Sequence, residues 1–153
     1  MNDIEIRKMN KSDEIPYDLL LLADPSKDLI DSYIKNSNSF IAQKEDKIVG
    51  ICVVIKIKTD IFEIVNIAVD ETCQRKGIAK KLIYNVIEFL KLKGAKELYI
   101  GTGNSSIYQL ALYQKCGFRI VGIDKDFFKR NYKDKIIENE IECVDMIRLK
   151  MKL

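Results

Sequence analysis

The chain has 153 residues, 47% of them apolar and 32% charged, enough for one compact domain with a sizeable core. Lys and Arg number 26 against 23 Asp and Glu, and the resulting charge of +3 is too small to argue for nucleic acid or a membrane surface as partner. There is no histidine, which excludes a His-based zinc site and Ser-His or Cys-His catalysis, and the 4 cysteines form no CxxC pair.

The N-terminal "MNDIEIRKMNKSDE" mixes acids and bases and has no signal-peptide character, while no apolar run approaches the roughly 20 residues that span a bilayer. Within it "DIEIRKM" alternates and predicts a strand. "IPYDLLLLADPS" predicts a short helix stopped before Pro25, and "KDLIDSYIKN" a second, with Leu29, Ile30, Tyr33 and Ile34 at helical spacing. "SFIAQKED" and "KIVGICVVIKIK" read as a hairpin turning at "KEDK". Cys52, inside that apolar run, reads as a small core residue, and the cytoplasm is the expected compartment. "IFEIVNIAVD" is apolar on both faces and predicts a central strand.

The strongest helix runs from Gly77 to Lys93, with Leu82, Ile83, Val86, Ile87 and Leu90 on one stripe and Gly94 as its stop. "KELYIGT" then predicts a strand, "SIYQLALYQKCG" a helix ending at Gly117, and "FRIVGID" and "ECVDMIRLKMKL" strands. Nothing marks a linker or a repeat. The order implies an α/β or α+β fold, a mixed sheet with helices on it, in one domain over residues 1–153.

One local rule is broken. Arg75, Lys76, Lys80 and Lys81 crowd the N-terminus of the long helix, the end whose dipole favours anions. A bound polyanion would remove the conflict by taking up the free first-turn N–H groups, with Gly77 and the small Ala79 admitting it to the backbone. A solvated basic turn, offset in part by Asp70 and Glu71, stands beside that reading. No P-loop run exists, and "GTGNSS" at Gly101–Ser106 carries only the start of a dinucleotide fingerprint.

"QRKGIA" resembles the Q/R-x-x-G-x-G/A signature of the GNAT superfamily of acyl-CoA-dependent N-acetyltransferases. "NIAV" precedes it at the family's spacing, and "ALYQKCGF" resembles the family's A-x-Y-x-x-x-G-F helix end. The resemblance spans about Glu63 to Phe118 in motifs, and the element order fits a GNAT-like fold throughout. It implies acetyl-CoA as cosubstrate, without a metal. The pyrophosphate would sit on Gln74, Arg75, Lys76, Gly77, Ile78, Ala79 and Lys80, and the pantetheine arm along the backbone of Ile67, Ala68 and Val69. A strand N–H near Ile67 would hold the developing oxyanion.

The family's tyrosine position falls on Tyr113, the expected acid for the leaving thiolate. Glu63, in a largely apolar strand, matches the glutamate of the histone acetyltransferase branch and is the expected base, with a water chain as the alternative. The family's pantetheine-binding asparagine departs from pattern. Its expected position holds Ser106, with Asn104 two residues earlier, so either, or neither, makes the contact.

For the acceptor amine, Tyr17, Asp18, Asp24, Asp31 and Tyr33, together with Asp124, Asp126, Phe127, Phe128, Arg130 and Tyr132 of "DKDFFKRNYKDK", mix acids with aromatics as a cation site does. A small amine is the leading expectation, reached by direct attack in a ternary complex. Protein lysine or N-terminal acetylation would instead need a groove left open by "DKDFFKRNY", and a non-catalytic acetyl-CoA sensor is a third reading. Dimers are common in the family, but no interface is readable in this sequence.

Overall fold

A computed structural model describes residues 3–153. In chain order the elements are β1 (Ile4–Lys8), α1 (Tyr17–Ala23), α2 (Lys27–Ile34), β2 (Asn38–Lys44), β3 (Lys47–Lys58), β4 (Ile61–Val69), α3 (Ile78–Leu92), β5 (Glu97–Gly103), α4 (Ile107–Lys115), β6 (Arg119–Asp124), α5 (Phe127–Asn131), β7 (Ile137–Glu138), β8 (Ile141–Glu142) and β9 (Met146–Lys152). A single 3₁₀ turn, Glu71–Cys73, follows β4. The main sheet has 7 strands in the order β1-β2-β3-β4-β5-β9-β6, and β7 pairs with β8 apart from it. Every pairing is antiparallel except β4 with β5, which sit on either side of α3 in the chain and therefore run parallel.

Both faces of the sheet are covered, which explains the unbroken apolar run of β3. Its Ile51 and Val53 pack with Leu20, Ile30 and Ile34 under α1 and α2. Cys52 and Val54 point the other way and join Leu82, Ile83, Val86 and Leu90 of α3. Each such side chain contributes about 1.5–3 kcal/mol by leaving water, so the amphipathic stripe holds α3 in place more than helix propensity does. Gly94, at φ +77, ends that helix.

Two irregularities shape the middle of the sheet. Val53 pairs with Asn66 and Val54 with Ile64, so Val65 is an unopposed bulge residue. The strand parity shifts there. Ile64 and Ile67 both pack on the α3 side, while Val65 and Asn66 face α1 and α2. Secondly, β4 pairs with β5 only over Ile61–Ile64 and Glu97–Ile100. Beyond that the strands separate, and the edge of β4 from Val65 to Val69 faces a wedge.

The sequence reading missed several elements. α5 and the β7–β8 pair lie in the polar stretch after β6, where periodicity is weak. The last strand begins at Met146, because Ile141–Glu142 pairs with β7. Gly101 and Gly103 belong to β5 and neither has a positive φ, so the turn before α4 is shorter than "GTGNSS" suggests. Their glycine identity answers crowding. A Cβ on Gly101 would stand 2.7 Å from Met146 Sδ, and one on Gly103 would collide with Cys143 Sγ.

Candidate active site

The loop between β4 and α3 leaves its backbone donors free. Arg75 lies at φ +62 and Gly77 at φ +83, two left-handed residues that turn successive N–H groups outward. Among the described residues, no N–H from Gln74 through Lys80 donates to a protein acceptor; the first to do so is Lys81, to Gly77 O at 3.1 Å. Gly77 caps α3 with no side-chain bond, and the first turn holds no acid. Ile78 is buried and anchors the helix end, while Gln74, Arg75, Lys76, Gly77 and Lys80 are exposed and Ala79 is half-buried. Gln74 Nε2 donates to Val69 O at 3.0 Å and pins the loop to the strand. Arg75 lies over the ring of Tyr108, 5.4 Å from its centroid, linking the loop to α4.

From this loop the unpaired edge of β4 leads inward. Ala68 and Val69 are buried and Ile67 is half-buried, so what they offer the wedge is main chain. Tyr113, on α4, is only 4% exposed yet lines the large cavity beside the wedge. Its ring packs edge-on against Phe118, 6.2 Å between centroids. Burial raises its pKa well above that of a free phenol, and the neighbouring Cys52, Cys116 and Glu138 add to the effect, so the hydroxyl keeps its proton.

The cavity has a volume of about 730 Å³ and lies between the wedge, the α1–α2 corner and the segment from α5 to β7. Glu63 opens onto it. Burial raises the Glu63 pKa, and Arg148, whose Nη1 is 3.8 Å away, lowers it in part. Arg148 also reaches Asp124 at 3.5 Å and the face of Phe127 at 5.8 Å. Asp24, also on the cavity wall, accepts from Tyr132 Oη at 3.0 Å, from Tyr33 Oη at 3.3 Å and from the Ser26 N–H at 3.1 Å. The Tyr132 bond joins residues 108 apart and straps α5 across the α1–α2 corner.

A profile described as the Acetyltransferase (GNAT) family matches residues 6–118. The chain belongs to this family. It is 49% identical over 153 residues, the whole chain and 99% of its relative, to the uncharacterized N-acetyltransferase YvbK of Bacillus subtilis. A solved GNAT family acetyltransferase from Elizabethkingia anophelis, with acetyl-CoA bound, is 50% identical, with a TM-score of 0.96 and 100% of both chains covered. An IAA acetyltransferase from Bacillus cereus is 47% identical, with a TM-score of 0.94 and coverage of 98% of this chain and 99% of that one. The protein is therefore an acetyl-CoA-dependent N-acetyltransferase with a mixed seven-stranded GNAT sheet. Among the described residues, no cluster of His, Cys, Asp or Glu could hold a metal, and no helix is long and apolar enough to cross a membrane.

In this GNAT enzyme the side chain of Asn104 is committed elsewhere. Its Oδ1 accepts from the N–H groups of Val144 and Asp145 at 2.8 and 3.0 Å, and its Nδ2 donates to Glu142 O, fixing the approach to β9. Ser106 Oγ donates to Glu138 Oε1 at 2.6 Å on the cavity wall. Of the acceptor candidates, Asp24, Tyr33, Phe127, Phe128 and Tyr132 come together around the cavity. Tyr17 and Asp31 bond each other at 2.7 Å away from it, and Asp18 does not line it. Asp124 is taken up by Arg130 and Arg148. Asp126 caps α5 at φ +59. Sequence reasoning passed over Arg148, Glu138, Gln109 and Asn66, all on the cavity wall. Asn66 had a detectable signal, being a single polar residue in an apolar strand.

Proposed function

We propose that this enzyme moves the acetyl group of acetyl-CoA to the primary amine of a small molecule, by direct attack with both substrates bound. What carries the reading is the Tyr132–Asp24 bond, which straps the end of α5 across the α1–α2 corner beside the cavity. Phe127, Phe128 and Tyr132 line the cavity on that side. A strapped cavity suits a compact amine better than an extended polypeptide.

Acetyl-CoA supplies the acetyl thioester. The free N–H groups of Gln74–Lys80 take its pyrophosphate, and the unpaired edge of β4 around Ile67, Ala68 and Val69 pairs with the pantetheine as an added strand. The side chains of Asn104 and Ser106 both make bonds within the chain, which favours main-chain contacts for that arm. Glu63, with its raised pKa, accepts the proton of the incoming ammonium, directly or through water, leaving a nucleophilic amine. An N–H on the β4 edge meets the developing oxyanion. Tyr113 delivers its proton to the departing sulfur as the carbon–sulfur bond breaks, and the proton shed by the acylated nitrogen returns through water to restore the phenol. The 4 cysteines are all unpaired, which supports a reducing, cytoplasmic setting.

The test is thiol release from acetyl-CoA across a panel of small primary amines, with peptides bearing lysine or a free N-terminus run in parallel. Release with small amines, lost in Tyr113→Phe, supports the reading. Release with peptides alone overturns it in favour of a protein target.

A further inference from the structure

The cavity wall is unevenly charged. It presents the carboxylates of Asp24, Glu63 and Glu138 and the cations Lys135 and Arg148. Both cations are already drawn to other partners. Arg148 is shared by Glu63 and Asp124, and Lys135 pairs with Glu142 at 3.9 Å. No cation among the described residues pairs with Asp24. That carboxylate is only 9% exposed and rests entirely on neutral donors, the hydroxyls of Tyr33 and Tyr132 and the Ser26 N–H. Burial pushes the Tyr33 phenol up to about 12 and Tyr132 up as well, so both remain protonated donors. A buried charge without an opposite charge is costly, and such groups are normally paired.

The neighbouring residue has a second unmet need. Asn66 Nδ2 donates to Leu20 O at 3.0 Å and to Tyr33 Oη at 2.9 Å. Leu20 O can only accept, so the amide cannot be turned round. Its Oδ1 is thereby left buried without a partner, in a side chain only 3% exposed on the same cavity wall. Two acceptors in one network, one of them charged, call for a cation with several N–H donors. The same cavity is also lined by apolar and aromatic side chains, among them Leu22, Leu29, Phe127 and Phe128.

We propose that the acceptor is a diamine with an apolar spacer: one amine meets Glu63 and is acetylated, and the distal ammonium is bound by Asp24 beside Tyr33, Tyr132 and Asn66. This rests on the small-amine reading above and narrows it. Asp24 is then a specificity-determining residue rather than one that touches the reacting atoms. Its bond to the Ser26 N–H is also an ordinary turn contact, which Asn at this position would preserve.

The experiment compares α,ω-diaminoalkanes of increasing length with n-alkylamines of the same lengths, in wild type, Asp24→Asn and Glu138→Gln. Binding is read by calorimetry in the presence of CoA and turnover by thiol release. The wild type is expected to prefer the diamine by at least about 10-fold at its best length, chiefly in KM, and Asp24→Asn to erase that preference. The thermal transition of Asp24→Asn shows separately that the protein is folded. Equal binding of diamine and alkylamine by the wild type overturns the proposal, as does a preference lost in Glu138→Gln but kept in Asp24→Asn. Because binding is read apart from turnover, Asp24-dependent diamine binding without acetyl transfer would overturn the diamine as acceptor, whereas transfer to small amines with no diamine preference would overturn this proposal and leave the small-amine reading standing.

Discussion

Gly77 offers the sharpest test of the coenzyme loop. It sits at φ +83 with open space around the position of a Cβ, so a side chain would meet no protein atom. Alanine or glutamate there incurs only the left-handed backbone penalty, about 1–2 kcal/mol. That is small beside a stability of roughly 5–15 kcal/mol and lowers the melting temperature by about 2–8 °C, so both variants fold. Binding responds differently. A glutamate at this position places a negative charge where the outward N–H groups await an anion. At about 4 Å and an effective dielectric near 20, repulsion from one phosphate charge is about 4 kcal/mol, roughly a 10³-fold loss. The loop is exposed, and screening reduces that to about 10²-fold. Calorimetric titration with acetyl-CoA is the assay, with Gly77→Ala as the uncharged control. A folded Gly77→Glu protein that binds acetyl-CoA like wild type would refute the assignment of the loop.

Four further outcomes are expected. Tyr113→Phe should lower kcat by about 10²-fold with little change in acetyl-CoA affinity; equal rates would remove the hydroxyl from the mechanism. Because burial raises the Glu63 pKa, kcat/KM should climb with pH through a value above that of an ordinary glutamate, and Glu63→Gln should lose that limb. The stability sign runs opposite. A raised pKa favours folding while the carboxyl is protonated and the advantage is lost as pH rises through it, so Glu63→Gln should melt no lower than wild type at about pH 8. Asp13 is held at about 2 by the paired Arg7 guanidinium and the Asn10 N–H, so its contribution is present above the ordinary carboxylate range and lost as pH falls through about 2. Asp13→Asn should therefore lower the melting temperature at neutral pH and leave it unchanged near pH 2.

The secondary structure was most legible where periodicity was strong. The stripe on α3, the strand pattern of β4 and the hairpin of β2 and β3 all appear in the structure at the boundaries read to within a residue or two. The loop before α3 stood out for a different reason, because four cations at the wrong end of a helix conflict with its dipole. Elements that depend on distant partners were not visible. α5 and the β7–β8 pair are short and held by distant contacts such as Tyr132 with Asp24 and Asn104 with Glu142. The reason for Gly101 and Gly103 was not legible, since a glycine chosen for crowding looks the same in sequence as one chosen for a turn.

The amino-acid sequence alone determined the order of the main elements, the apolar faces and the crowding of cations at the start of α3, because each depends on neighbours within one or two helical turns. Only the tertiary structure decided which residues meet around the cavity. The bulge at Val65 turns Asn66 toward α1, and the crossing of the chain brings Tyr132 to Asp24 and Arg148 to Glu63. Those are relations between residues far apart in sequence, set by strand register and by how the sheet opens between β4 and β5, and no local pattern encodes them.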